Sequence, residues 1–326
     1  MSSQTITVGA KAMHFSIPIE ETICVVCGSD ASEVEASGMD YLYSSCGDTF
    51  THVRCLSCDH LYLNPRPAAD AASIIYPPNH ASYAGTIARS LIMSRVKKLV
   101  VIRRLWGILA KTPRIRVLEI GCGDGQLLVA IRKGFPDAEL AGLDFHFHPD
   151  CAQDLKSEGV KLIEGLAEDT QLDENSYDLV IMNQVIEHLW DVDKVLALSS
   201  RALKPAGLLS IETPDADSYD RAIFRNGLWG NYYYPRHLNL FSMKGLRTVL
   251  ARNGFHVVKG YNTVAPICWV FTMNSIAGRY PKWTWLRKVF TLTNVVPIAL
   301  FTLVDLAALA AGLHTANQRI VASKAS

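Results

Sequence analysis

From residue 114 onward, short runs of apolar residues alternate with stretches whose apolar positions recur three and four apart. The run 116–120 (RVLEI) reads as a strand, 125–133 as a helix, 139–144 as a strand and 149–158 as a helix. Further strands are expected at 161–164, 177–182 and 208–213. A helix at 192–203 falls between the last two, with Lys204-Pro-Ala-Gly207 as its stop signal. Residues 242–252 form a helix closed by Asn253-Gly254, 255–261 another strand, and 318–322 a last edge strand. Strand–helix units repeated in this way predict an α/β domain over 114–326, with a parallel sheet covered on both faces.

Two other stretches break that rhythm. Between Ala71 and Leu118 there is no acidic residue, and apolar positions from Leu91 to Leu109 recur at helical spacing, so 87–110 reads as a basic amphipathic helix within a region 68–113. It suits an anionic membrane surface or a phosphorylated substrate, or it packs with a solvated basic face. Near the C-terminus, 289–304 carries no charge, Asp305 interrupts, and 306–313 is apolar again. The run is short of the ~18–20 residues of a spanning helix and holds Pro297, so a shallow hairpin is the better reading. Its entry mixes Arg279, Tyr280, Lys282, Trp283, Trp285, Arg287 and Lys288, the chemistry of a headgroup layer. Peripheral membrane contact follows as an expectation; a helical pair buried against the main domain or a dimer partner competes with it. Either way, about 264–314 is a hydrophobic helical insertion in the sheet domain.

The composition is that of a globular chain: 326 residues, 49% hydrophobic and 19% charged, with a formal charge of +1. That balance speaks against a generally basic nucleic-acid binder, and no nucleic-acid partner is expected. The N-terminal tail, 1–19, lacks a basic-then-apolar leader, so a cytoplasmic protein is expected, with the membrane's inner face as its margin. Eight cysteines are too few for a disulfide scaffold, yet four form two C-x-x-C pairs, Cys24/Cys27 and Cys55/Cys58. Two such pairs close a tetrahedral tetrathiolate, so 20–67 is expected to be a structural Zn2+ ribbon, with a hairpin around 41–50 between the knuckles. Cys46, His52 and His60 are nearby and are read as free or surface residues, with replacement of one thiolate ligand as the alternative. A catalytic zinc would need an open position, which four cysteines do not leave.

The chemistry-bearing motif is Glu119-Ile-Gly-Cys-Gly-Asp-Gly125, between a strand and a helix, with Asp144 ending the next strand. The third glycine is not where a dinucleotide fingerprint needs it, and Glu119 and Asp124 would oppose a pyrophosphate. S-adenosylmethionine, with an ammonium and a sulfonium, suits an acidic loop. Glycines let the backbone approach such a ligand, and Asp144 offers an acceptor-only carboxylate to two ribose hydroxyls.

At these residues the chain resembles class I S-adenosylmethionine-dependent methyltransferases, over about 114–262 plus the final strand. Asn175-Ser-Tyr-Asp-Leu-Val180 and Asn183-Gln-Val-Ile-Glu-His-Leu189 are similar to the family's fourth strand and the loop after it. The resemblance implies a Rossmann-like seven-stranded sheet. It also implies a cofactor site at Glu119, Gly121, Cys122, Gly123, Gly125, Asp144, Ala167, Glu168, Asn183 and Gln184, with Gln184 beside the methionine portion. Leu166 stands where many relatives carry an acidic residue, so adenine recognition would rest on Ala167 or Glu168. The ribbon and Pro235-Arg-His-Leu-Asn-Leu-Phe-Ser242 narrow the resemblance to zinc-ribbon methyltransferases of sugar-nucleotide and surface-polysaccharide pathways, including deoxysugar C-methyltransferases. In C-methylating members, a Glu often precedes the reacting-centre His; here Arg236 replaces it.

Methyl transfer needs alignment and the loss of one proton, which calls for a base near neutral pKa. His237 is the first candidate and His188 the second, each with a structural role as its alternative. Trp229 and Tyr232–Tyr234 would stack on a sugar or quinone ring or cover the core. Arg221, Arg225 or Arg236 would grip a phosphate. The expected acceptor is a sugar-linked or lipid-linked small molecule, such as a nucleotide sugar. A polyprenylated quinone is the runner-up, and a non-catalytic scaffold the remaining reading.

Overall fold

Alternation of apolar residues along each strand and a three-to-four spacing along each helix sort the side chains of the central chain into a buried sheet and its cover. The structure is a computed structural model that describes residues 4–8, 11–76 and 114–324. The basic segment expected at 87–110 lies outside the described residues.

In chain order, β1 (Gln4–Val8) and β2 (Lys11–Phe15) pair antiparallel where a tail was expected. They are followed by β3 (Ile19–Glu20), β4 (Ser32–Gly38), β5 (Phe50–Cys55), β6 (Leu61–Leu63), β7 (Arg66–Pro67) and a short α1 (Ala72–Ile75). Then come β8 (Arg116–Ile120), α2 (Gln126–Gly134), β9 (Glu139–Asp144), α3 (Pro149–Ser157), β10 (Val160–Glu164), β11 (Tyr177–Asn183), α4 (Val192–Ala202) and β12 (Leu203–Pro214). The remainder is α5 (Tyr219–Ile223), β13 (Asn239–Leu240), α6 (Met243–Arg252), β14 (Phe255–Thr263), α7 (Pro266–Arg279), α8 (Leu286–Val289), α9 (Val295–Ala310) and β15 (Asn317–Lys324). The chain divides into two units. One is Met1–Pro77 with Thr213–Val249 and Tyr261–Gln318; the other is Pro78–Glu212 with Leu250–Gly260 and Arg319–Ser326.

Seven strands form one sheet in the order β10-β9-β8-β11-β12-β15-β14, with β8, β9, β10, β11 and β12 parallel where paired. The order reverses at β8, which places a crevice at the carboxyl ends of β8 and β11, the usual ligand position of such sheets. Val117, Leu179 and Ile181 from the strands pack with Leu128, Ile131 and Leu155 from α2 and α3. Burial of each such side chain contributes roughly 2 kcal/mol. Pro149 starts α3, where its missing N–H costs nothing, and Asp191 caps α4 by accepting from the Lys194 N–H at 2.9 Å.

Two expectations are corrected here. Lys204–Gly207 does not merely stop α4, because the chain enters β12 at Leu203 and absorbs the turn as an irregularity against β11, with Ala206 at φ +61°. The last strand is not an edge: β15 lies between β12 and β14, and Ile320 and Ala322 are wholly buried. The edge is β14, most of whose residues remain partly exposed.

In the other unit, β4, β5, β6 and β13 form an antiparallel sheet in the order β13-β6-β5-β4. The hairpin is built from β4 and β5 rather than from 41–50, which is the loop between them. That loop winds around Asp40, whose carboxylate accepts the N–H groups of Leu42, Tyr43 and Ser45. Asp305, read from sequence as a break in an apolar run, is fully buried on the inner side of α9. It accepts from the Ala265 N–H at 2.6 Å and from Trp269 Nε1 at 3.0 Å, tying α9 to α7. No helix among the described residues is long and apolar enough to cross a membrane.

Candidate functional site

The loop leaving β8 turns through three left-handed glycines, Gly121 at φ +67°, Gly123 at +53° and Gly125 at +68°. A side chain on Gly121 would come within 2.5 Å of Val185 Cγ2, in the loop after β11. One on Gly125 would come within 2.2 Å of Leu155. These positions therefore need glycine for both conformation and space. The N–H groups of Gly121 and Cys122 both reach the Leu143 carbonyl, and the Gly123 N–H donates to Asp144 Oδ2 at 2.7 Å. Backbone from β8 and β9 is thereby stitched into a cradle at the carboxyl end of the sheet.

The cradle is acidic, and its carboxylates Glu119 and Asp144 are buried. Glu119 is buried; desolvation, then the charges of Asp124 and Asp144, push its carboxyl well above the ordinary range, opposed by a hydrogen bond from Asn183. Glu119 Oε2 and Asn183 Oδ1 are buried with no partner within the protein. Two polar atoms left in that state are open to hydrogen bonds from a ligand. Burial also raises Asp144, while the N–H groups of Gly123, His146 and Phe145 pull it back. The donor set fits a ligand carrying an ammonium and hydroxyls, as S-adenosylmethionine does. Gln184 sits at φ +54°, held by its N–H bond to the Glu212 carbonyl at 2.7 Å. Sequence reasoning missed Glu212 as this anchor, because main-chain oxygens leave no mark in the sequence.

The other predicted residues Cys122, Ala167, Glu168 and His188 lie on the chain segments after β8, β10 and β11. Cys122 is buried and its sulfur fills the space beside Gly142. Ala167 is buried; Glu168 accepts the Trp190 N–H at 3.1 Å, so its side chain is engaged in holding that loop. His188 closes a single turn after β11, with its N–H on the Val185 carbonyl.

In the unit built on β4–β6, Cys24, Cys27, Cys55 and Cys58 converge, all four sulfurs within 4.8 Å of one another. The Cys24–Cys58 and Cys27–Cys55 pairs are 3.4 Å apart, far beyond the ~2.05 Å of a disulfide. Sulfurs about 2.3 Å from a common tetrahedral centre would lie roughly 3.8 Å apart, so the cluster fits Zn2+. Each knuckle is a turn that ends in a left-handed residue, Gly28 at φ +76° and Asp59 at +61°. His52 and His60 are buried rather than at the surface, outside this cluster; burial lowers their pKa to about 3 and about 4.

The same unit holds the loop with His237. Strand β13 pairs with β6, Leu63 N–H bonds the Leu238 carbonyl at 2.9 Å, and His52 Nε2 donates to the His237 carbonyl at 3.0 Å. His237 Nδ1 lies 2.7 Å from the Asn231 carbonyl. A carbonyl only accepts, so Nδ1 carries a proton. The phosphate-grip expectation is corrected for two arginines: buried Arg236 is spent on buried Asp40, and buried Arg221 on half-buried Glu35 and the Ala216 carbonyl. Trp229, Tyr232 and Tyr234 are buried as well, so of the expected stacking residues Tyr233 alone is partly exposed.

A family model described as a methyltransferase domain matches residues 93–259, just over half of the 326 residues. The trans-aconitate 2-methyltransferase of Deinococcus radiodurans is 29% identical over 115 residues, 34% of this chain and 43% of that protein. Its counterpart from Methylobacterium radiotolerans is 30% identical over 125 residues, 36% and 47% of the two chains. The match therefore spans under half the length of these curated relatives. Phosphoethanolamine N-methyltransferase 2 of Haemonchus contortus, solved in complex with S-adenosyl-L-methionine, shares the fold. Its TM-score is 0.53 at 16% identity, over 99% of this chain and 71% of that one. With the glycine cradle, the acidic pair Glu119 and Asp144 and the switch point at β8, these matches place the chain in the methyltransferase-domain family, with an S-adenosylmethionine-dependent methyltransferase domain at its centre.

Proposed function

We propose that this protein transfers a methyl group from S-adenosylmethionine to a sugar-linked or lipid-linked small molecule, in the building of a cell-surface polysaccharide or a deoxysugar, with Zn2+ held structurally by the four cysteines. Bound S-adenosylmethionine supplies an electrophilic methyl group on a sulfonium, open to in-line displacement. Glu119 and Asn183 would hold its donor groups, Asp144 its ribose, Gln184 its methionine portion, and Ala167 with Glu168 its adenine. His237 takes the proton from the acceptor at Nε2, and His188 is the second candidate for that role.

The observation that carries this reading is the bond from His237 to the Asn231 carbonyl, which fixes the tautomer a general base needs. A base is useful for a hydroxyl or an activated carbon, the acceptors a sugar offers, and dispensable for a carboxylate. Commitment of Arg221 and Arg236 to Glu35 and Asp40 also removes two cations that would otherwise grip a carboxylate. A polyprenylated quinone, whose hydroxyl also needs a base, is the second reading.

The test is to incubate the purified protein with methyl-labelled S-adenosylmethionine and a cell extract, then separate lipid, quinone, nucleotide-sugar and nucleic-acid fractions. Label in the sugar or sugar-lipid fraction is expected. Label in quinone selects the second reading, and label in nucleic acid overturns both.

A further inference from the structure

Helix α9 is apolar on nearly every side, which is unusual for a helix exposed to water. Its buried face carries its one charge, Asp305, while the outward face is apolar throughout. Val296 is 72% exposed, Leu300 55%, Leu303 64% and Leu306 50%, with only alanines, Val295 and Val304 exposed beside them on this helix. Large apolar side chains at positions 296, 300 and 303 share one face by helical spacing, so they form a contiguous patch rather than scattered exposures.

The connection that leads into this helix has a matching chemistry. Trp283 and Trp285 are about half exposed, their rings 6.1 Å apart, and Arg279, Lys282, Arg287 and Lys288 are all exposed. From Tyr261 to Val304 the sequence carries no acidic residue to offset these four cations. Exposed tryptophans between cations, next to an apolar helix face, match the layered order of an anionic bilayer: phosphate at the headgroup, indole at the interface, acyl chain below. Sixteen residues rise only about 24 Å, less than the ~30 Å hydrocarbon core, and the buried Asp305 ties the helix to α7. The geometry therefore points to a helix that lies in the interface.

We infer that the α7–α9 hairpin docks this protein on an anionic membrane surface, with the Val296–Leu300–Leu303 face entering the acyl boundary and Lys282 and Lys288 meeting lipid phosphate. Lipid binding is read without methyl transfer, so this proposal and the acceptor assignment fail separately.

The experiment is co-sedimentation of the full chain with vesicles of phosphatidylcholine alone or mixed with phosphatidylglycerol. Binding should be about tenfold tighter to the mixed vesicles and should weaken with salt. Leu300→Glu/Leu303→Glu should lose about tenfold or more of that binding, while its zinc content and S-adenosylmethionine affinity stay as in the parent. Lys282→Glu/Lys288→Glu should lose the preference for phosphatidylglycerol. Equal binding by Leu300→Glu/Leu303→Glu overturns the inference, as does absence of the parent from both vesicle pellets. A dimer in sedimentation velocity that the double leucine variant abolishes, with no vesicle binding, would also overturn it and assign the face to a second copy of the chain.

Discussion

Arg236 Nη2 donates to Asp40 Oδ2 across 2.8 Å with the two side chains 0% and 1% exposed. The guanidinium also lies over the rings of Tyr43 and Tyr233, at 4.6 and 5.2 Å from their centroids. Burial alone would push Asp40 up, but the hydrogen bond and charge of Arg236 hold it at about 2. The pair joins the loop after β4 to the residue that precedes His237. Removing one partner strands the other charge in the interior, so Asp40→Ala should cost about 3–5 kcal/mol, and Asp40→Asn less. Urea unfolding at neutral pH measures both, and an Asp40→Ala midpoint equal to the parent's would refute the assignment.

Acid should weaken this unit through a buried imidazole. Burial lowers the His52 pKa from 6.5 to about 3, so the unfolded chain takes a proton there that the folded chain refuses. A depressed pKa gives stability that is complete above 6.5 and is lost as pH falls toward 3, on the order of 1 kcal/mol per pH unit. Asp40 has the same sign, with its share lost between 3.8 and about 2. His52→Gln keeps a donor for the His237 carbonyl but does not titrate. Its unfolding free energy should fall less steeply than the parent's between pH 6.5 and pH 4, and parallel slopes would exclude His52 as the source.

Elemental analysis should find one zinc per chain, lost on chelation or in Cys27→Ser. Strand β5 carries both Cys55 and His52, and His52 holds the His237 carbonyl. Loss of the metal should therefore lower kcat while S-adenosylmethionine affinity stays nearly unchanged. Full turnover by the zinc-free protein would separate the cluster from the loop.

Asp144 supports the cradle through Gly123 and is the one carboxylate expected at the ribose. Asp144→Asn should weaken S-adenosylmethionine binding about tenfold or more, as titration calorimetry would show. Gly125→Ala should do the same by a different route, because its φ of +68° and the 2.2 Å approach of Leu155 leave no room for a methyl group.

His237→Ala should reduce kcat about 10²–10⁴-fold and leave the cofactor's Kd in place. Partial rescue by added imidazole would mark a proton acceptor, since a merely structural loss would not respond. Turnover equal to the parent's would pass the role to His188.

Local features were legible in the sequence. The glycines at 121, 123 and 125 between strand and helix, the carboxylates Glu119 and Asp144, and the two C-x-x-C turns each sit within one turn or one strand–helix unit, so spacing alone marked them as candidates. Strand and helix periods likewise gave the parallel core of the sheet. Tertiary structure alone decided what the remaining polar groups do, because a buried charge is satisfied by whatever the fold brings near. Arg236, a plausible phosphate ligand by sequence, finds its carboxylate 196 positions away. Asp305, a break in an apolar run, becomes the inward clamp of α9 and leaves the apolar face outward. Strand β15 moves from edge to interior because neighbours in a sheet are set by how the whole chain packs, and no local period records that.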